Sequence, residues 1–243
     1  MNLVIDIGNT LVKLAVFQDD KLLKKKISLK QDFLKTLSDL QISYSEMDHA
    51  LISSVVKIPA KWIQKVEEKC KLFILTTGLP QVFENRYGTP ATLGNDRIAL
   101  VSAACRSYPG ENVLVIDVGT CITYDFKNEK EEYFGGAISP GLHMRYHAMN
   151  TFTERLPLLE PEEEVKLIGN STKNSMHTGV MLGITAEIDF MIDSYRAQYK
   201  ELTVIFTGGD AQFLCKQLKN SIFANSNFLL QGLNYILEFN KSQ

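Results

Sequence analysis

Val4-Ile5-Asp6-Ile7-Gly8 recurs as Val115-Ile116-Asp117-Val118-Gly119. Each copy is a short run of β-formers ending in Asp-x-Gly. A hydroxyl-bearing turn follows, Asn9-Thr10 in one copy and Thr120 in the other. Each turn leads into a second strand, Leu11 to Phe17 and Ile122 to Phe126. Third strands follow, Lys21 to Leu29 in the first half and, after Glu131, a run into Phe134-Gly135-Gly136-Ala137-Ile138 in the second. Such self-similarity points to a duplicated α/β unit.

Between the copies, helical spacing marks Gln31 to Leu40 and the stretch carrying Trp62, Ile63, Val66 and Cys70. Ala50 to Val56 and Leu72 to Leu75 read as strands, and Gly78 to Leu93 as a loop. Gly94-Asn95-Asp96-Arg97 opens a helix that ends at Tyr108-Pro109-Gly110, where a domain boundary fits. The expected division is 1–110 and 111–243. In the second half, helices are expected at Gly141 to Thr151 and Thr172 to Tyr199, and a strand at Leu202 to Phe206 before Thr207-Gly208-Gly209-Asp210. A short helix and a closing helix finish the chain.

Composition narrows the function. The 243 residues are 45% hydrophobic and 22% charged, as in ordinary globular proteins, which excludes a disordered or fibrous chain. A net charge of −2 gives no basic surface for nucleic acid. Lys24-Lys25-Lys26 reads as a solvated edge strand. No apolar run is long enough for a membrane span, and Leu3-Val4-Ile5 is broken by Asp6 too soon for a signal peptide. The four cysteines form no C-x-x-C pair, so neither disulfides nor structural zinc is expected, and the compartment reads as cytoplasmic. His143 and His147 have metal-ligand spacing without a third ligand in a known pattern.

The paired Asp-x-Gly turns carry the chemistry. Glycine lets backbone N–H groups approach a ligand, and a ring of such groups forms a nest for phosphate oxygens. An aspartate at each strand tip suits magnesium, which favours carboxylate and phosphate oxygens. Two homologous halves opening this way predict a nucleotide cleft between two domains. Lys13, in an otherwise apolar strand, reads either as an edge lysine or as a charge facing a triphosphate. Asn95 or Asp96 could simply cap the following helix. Tyr87 alone is a loop aromatic, and Thr172 alone an N-cap.

The motif order resembles the type III pantothenate kinases. It runs through Asp6-Ile7-Gly8-Asn9-Thr10 with Lys13, Asn85-Arg86-Tyr87, Gly94-Asn95-Asp96-Arg97 and Asp117-Val118-Gly119-Thr120. It continues with Gly135-Gly136-x-Ile138-x-Pro140-Gly141, Gly169-x-Ser171-Thr172 and Thr207-Gly208-Gly209-Asp210. The resemblance implies duplicated ribonuclease H-like units, the fold shared by actin-like ATPases, acetate and sugar kinases and Hsp70. It implies ATP-dependent phosphorylation of pantothenate, the first step of coenzyme A synthesis. Asp6, Ile7, Gly8, Asn9, Thr10, Leu11, Val12, Lys13 and Thr120 would contact ATP, with Asp6 facing Mg2+. Tyr87, Gly94, Asn95, Asp96, Arg97 and Thr172 would bind pantothenate, with Asp96 the general base and Arg97 a fork for its carboxylate or for a phosphate. Chemistry alone would give Asp117 to magnesium; the resemblance gives it instead a monovalent cation, K+ or NH4+. It also implies a homodimer. Cys121 departs from the small residues usual after Thr120 and puts little in doubt.

Two rivals remain at this level. One is a relative with another phosphoryl acceptor, against which Gly94 to Arg97 and Gly135 to Gly141 speak. The other is a non-catalytic regulator, which would need a basic recognition surface or a helix-turn-helix; neither is visible.

Overall fold

Contacts in the computed structural model, which describes residues 1–220, 222 and 224–241, divide the chain into two units. The first holds Met1–Pro109 together with the segment from Asn227 onward, and the second holds Gly110–Ser226.

The first unit opens with the meander β1 (Asn2–Ile7), β2 (Leu11–Gln18) and β3 (Lys21–Leu29). Helix α1 (Phe33–Ser43), β4 (His49–Ser54), α2 (Ala60–Glu67) and β5 (Lys71–Ile74) follow. The sheet order is β3-β2-β1-β4-β5, with β1 antiparallel to β2 and parallel to β4. β3 is thus an edge strand, and its lysines keep that edge from pairing further. The segment expected as loop contains a two-residue strand, β6 (Glu84–Asn85). Helix α3 (Asn95–Ser107) is buried continuously from Arg97 to Cys105, as a helix covered on all sides must be.

Period-2 alternation sorts β1 into two faces. Leu3, Ile5 and Ile7 point into a core with Phe33, Leu37 and Leu40 of α1 and Trp62 and Val66 of α2. Phe33 and Trp62 stack with ring centroids 4.1 Å apart. Asn2, Val4 and Asp6 take the opposite face.

The second unit repeats the plan with β7 (Asn112–Val118), β8 (Cys121–Lys127), β9 (Glu132–Pro140), α4 (Leu142–Thr151), α5 (Thr172–Gln198), β10 (Leu202–Thr207) and α6 (Ala211–Leu214). Its strands run in the order β10-β7-β8-β9. Leu114, Ile116 and Val118 pack against Val180, Met181, Ile184 and Ile188 of α5. Asp117 therefore lies on the face away from α5, just as Asp6 lies on the face away from α1 and α2.

The chain closes with α7 (Phe228–Lys241). The expected second domain includes this segment, but its contacts place it in the first unit. It packs along α3, and Gly232 makes this possible, since a Cβ there would lie 1.8 Å from the Ala99 carbonyl oxygen. Asn2 on β1 ties the helix to the sheet by donating its amide to Asn234 Oδ1 at 2.8 Å. Such contacts, between opposite ends of the chain, leave no local trace in sequence.

Candidate active site

In the first unit, the face of β1 that carries Asn2 also carries Asp6 at its far end. Asp6 is the cross-strand partner of Lys13, and the Lys13 ammonium lies 3.5 Å from its Oδ2. β2 is an interior strand, so Lys13 is not an edge lysine. Asp6 is only 8% exposed. Burial pushes its carboxyl above the usual carboxylate range, Lys13 opposes that shift, and the Asp96 charge adds to it. The structure thus pairs Asp6 with Lys13 and sets Asp96, distant in sequence, near enough for its charge to act on the Asp6 carboxyl.

The turn between β1 and β2 is closed by the Gly8 N–H donating to the Leu11 carbonyl at 3.0 Å. Asn9, Thr10 and Leu11 are exposed, whereas the side chains of Ile7 and Val12 are in the core. Any ligand contact by those two is through backbone alone.

Asp96 stands in the first turn of α3, half-buried, with its Oδ1 accepting from the Arg97 N–H at 2.9 Å. The N-cap itself is Gly94, so neither Asn95 nor Asp96 occupies that position. The Asn95 amide instead donates to the carbonyls of Ser54 and Leu75, at 3.3 and 3.0 Å, and pins the helix start to the ends of β4 and β5. A Cβ on residue 94 would lie 2.4 Å from Asp96 Oδ1, so glycine leaves the carboxylate its place. Arg97 is 5% exposed, and its guanidinium carbon lies 5.4 Å from the centre of the Tyr87 ring. Two residues expected to meet one substrate are therefore packed on each other.

In the second unit the turn after β7 is one residue shorter, and the Gly119 N–H donates to the Cys121 carbonyl at 3.0 Å. Two glycines clamp it. Gly141, following β9, donates its N–H to the Thr120 carbonyl at 3.1 Å, and a Cβ on it would lie 2.2 Å from Gly119 O. Gly208, following β10, has φ +106°, and a Cβ on it would lie 2.2 Å from Val118 O. Thr120 is left exposed.

Sequence reasoning missed what holds this clamp. Arg145 of α4 donates to the Pro140 carbonyl and to Ser139 Oγ, both at 3.0 Å, and pairs with Glu187 of α5. Burial acts to raise the Glu187 carboxyl, but the bonds from Arg145 and Ser139 and the Arg145 charge outweigh it and hold the group low. Tyr124 also donates to Glu187, at 3.0 Å. Residues 42 positions apart on two helices carry no local signal for this pairing.

Asp117 is half-buried, with Thr123 beside it on β8 and Thr207 on β10. Thr123 Oγ1 is buried without a hydrogen-bond partner. A carboxylate next to an orphaned hydroxyl is an all-oxygen donor set that suits a hard cation. Thr172 opens α5 and is exposed, but the cap is Ser171, whose Oγ accepts from the Asn174 N–H at 3.2 Å. His143 sits 3.7 Å from both Glu160 and Asp210, and burial raises the Asp210 carboxyl while His143 opposes it.

A family model described as type III pantothenate kinase matches residues 2–194. A protein named type III pantothenate kinase from Christiangramia forsetii is 52% identical over 243 residues, covering 100% of both chains. A solved Campylobacter jejuni structure described as a conserved Baf family transcriptional activator superposes with a TM-score of 0.68 at 22% identity, over 99% of this chain and 100% of that one. A ROK hexokinase from Thermus thermophilus gives 0.56 at 11% identity, over 99% and 98%. At those identities the structures speak for fold alone, and they place the chain in the duplicated ribonuclease H-like, actin-like class.

Proposed function

Because the chain belongs to the type III pantothenate kinase family, it phosphorylates pantothenate with ATP, and we propose that Asp96 is the general base of that transfer. The product, 4′-phosphopantothenate, is the first intermediate of coenzyme A synthesis. One observation carries the assignment: Asp96 is held at the start of α3, near enough for its charge to act on the buried Asp6 that pairs with the half-exposed Lys13. The Asp96 carboxylate accepts the proton of the pantothenate primary hydroxyl as that oxygen attacks the γ-phosphorus and ADP leaves. Phosphoryl transfer of this kind depends on positioning and charge stabilisation rather than on covalent chemistry by the protein.

The exposed turn Gly8-Asn9-Thr10-Leu11 and Thr120 contact ATP, and Lys13 offers a point charge to its phosphates. Asp6 is the carboxylate that would hold Mg2+, which when bound neutralises phosphate charge; a buried carboxyl raised by desolvation gains most from a cation. Asp117 and the Thr123 hydroxyl would hold K+ or NH4+. Arg97 and Tyr87 act as one packed unit toward pantothenate, and Gly94, Asn95 and Thr172 are further substrate-binding residues. The enzyme works as a homodimer in the cytoplasm. The dimer reading is supported by Phe152, Leu167, Ile168 and Phe190, which expose large apolar side chains in the second unit. Among the described residues no helix is long and apolar enough to cross a membrane.

ADP release by the purified protein with Mg2+ and K+, with and without pantothenate, tests the reading. Pantothenate-dependent turnover that falls when Na+ replaces K+ supports both acceptor and cation. Turnover indifferent to pantothenate rules out the acceptor, and turnover indifferent to the monovalent ion rules out the Asp117 role.

A further inference from the structure

A buried histidine remains that no step above uses. His177 lies in the second turn of α5 and is 2% exposed. Its Nδ1 lies 2.8 Å from the Tyr146 hydroxyl on α4. Its Nε2 points the other way, 3.4 Å from Glu162 Oε1. Burial, with the Glu162 charge second, pushes the Tyr146 hydroxyl up to about 12, so Tyr146 keeps its proton. A carboxylate only accepts, so the tautomer that suits Glu162 carries its hydrogen on Nε2 and leaves Nδ1 to accept from Tyr146. The Nε2–H then lies close to the Glu162 carboxylate at 3.4 Å, near it but without hydrogen-bond geometry in this arrangement.

Glu162 belongs to the acidic stretch of the strap that joins α4 to α5, which at sequence level reads as a plain solvated loop. In the structure the strap is fastened along the first two turns of α5. Lys173 holds Glu162 at 2.7 Å, the Thr178 hydroxyl donates to the Lys166 carbonyl at 2.7 Å, and Ser175 Oγ donates to the Gly169 carbonyl at 3.2 Å. Gly169 runs so close that a Cβ would lie 2.4 Å from the Ser175 nitrogen. Glu162, Glu164, Val165 and Lys166 roof a hollow of about 150 Å³ against His177 and Asn174. The strap ends at Ser171, and the next residue is Thr172.

We propose that His177 is a positioning residue for pantothenate: with Tyr146 behind it, it latches the strap through Glu162 and so fixes where Thr172 stands. This rests on the reading that Thr172 meets pantothenate. The fastening is all within the second unit, so it bears on the Thr172 side of the substrate and leaves the Asp6 turn untouched. A side chain that only filled the core would contribute to stability without favouring one substrate over the other.

The experiment measures pantothenate KM, ATP KM and kcat for Thr172→Val, His177→Phe, His177→Gln and Glu162→Ala. Thr172→Val tests the underlying reading; an unchanged pantothenate KM there overturns that reading. Given a raised value, the latch requires His177→Phe and Glu162→Ala each to raise pantothenate KM about tenfold, with ATP KM within about twofold. His177→Gln, whose amide can accept from Tyr146 and donate to Glu162, should restore most of the loss. Trypsin should also cut at Arg155 or Lys166 faster in the two disrupted variants. Glu162→Ala is at the surface and keeps the test open if His177→Phe fails to fold. If Thr172→Val raises pantothenate KM but Glu162→Ala leaves it unchanged, or if ATP KM rises equally, the latch is wrong.

Discussion

Lys13 and Asp6 face each other across β2 and β1, with the ammonium 3.5 Å from a carboxylate that is almost wholly buried. Burial outweighs the lysine, so the Asp6 carboxyl titrates above its unfolded value. The native state then binds more protons than the unfolded chain, and stability falls as pH rises through that range. Asp6→Asn removes the cost of the buried charge. Without ligands the variant should melt higher than the parent at pH 7, with the gain shrinking as pH falls from above the ordinary carboxylate range down into it. Mg-ATP should raise the melting temperature of the parent and not of the variant. Thermal melts across pH, with and without Mg-ATP, check both.

Asp96→Asn should lower kcat by about 10²–10⁴-fold, the usual worth of a general base. Its melting temperature should stay within a few degrees of the parent. Retained turnover would move the base elsewhere.

Gly94→Ala reaches the same carboxylate from outside. The added methyl occupies the space of Asp96 Oδ1, and the flexible carboxylate yields rather than the helix. A displacement on the order of 1 Å should cost about 10²-fold in kcat. Circular dichroism and melting should be near those of the parent, which separates this loss from unfolding.

Arg145 and Glu187 should act on ATP through the Gly141 clamp. Arg145→Leu frees the Pro140 carbonyl and Ser139 and loosens the turn that presents Thr120. ATP KM should rise several-fold with pantothenate KM unchanged, the reverse of the pattern expected at His177. Glu187 is held low in the folded state, so its contribution is present above the unfolded carboxylate range and lost as pH falls through the folded one. Glu187→Gln should therefore cost stability at pH 7, and that cost should shrink only as pH falls below the ordinary carboxylate range, measured by denaturant titration across pH.

Gly232→Ala drives a methyl into the Ala99 carbonyl at the contact of α7 with α3. Overpacking of this kind costs about 1–3 kcal/mol. The melting temperature should drop by roughly 2–4 °C per kcal/mol for a chain of this size. Kinetic constants measured well below the melt should change less than those of Gly94→Ala.

The hairpins were legible in sequence because their signals are local. Period-2 patterning and an Asp-x-Gly turn are enough to place β1, β2, β7 and β8, and the repeat of the turn betrays the duplication. Asp6 and Lys13 could be seen as candidates; that they are cross-strand partners on an interior strand could not. Asn95 illustrates the limit: its residue type fits a cap, yet its amide reaches two strand ends more distant in sequence. Ser171 and Thr172 are equivalent by residue type, and only the backbone geometry gives the cap to Ser171. The roles of His177, Arg145 and Glu187 are invisible for the same reason as the packing of α7, which the sequence shows as a helix but not where it docks. Their partners come from other elements, and a lone charged residue on a helix resembles any solvated one.

The placement of α7 constrains how the chain is born. Synthesis proceeds from the N-terminus, so β1 to α3 emerge long before the helix that covers α3 and bonds Asn2. The second unit lies wholly between them in the chain, so all its strands and helices are synthesised before α7. The half that carries Asp6 and Asp96 must wait with an uncovered apolar helix face, while the later half can already close. Released chains truncated before Phe228 should show protease resistance from the second unit first, and the aggregation risk of this enzyme is concentrated in the interval before α7 is in place.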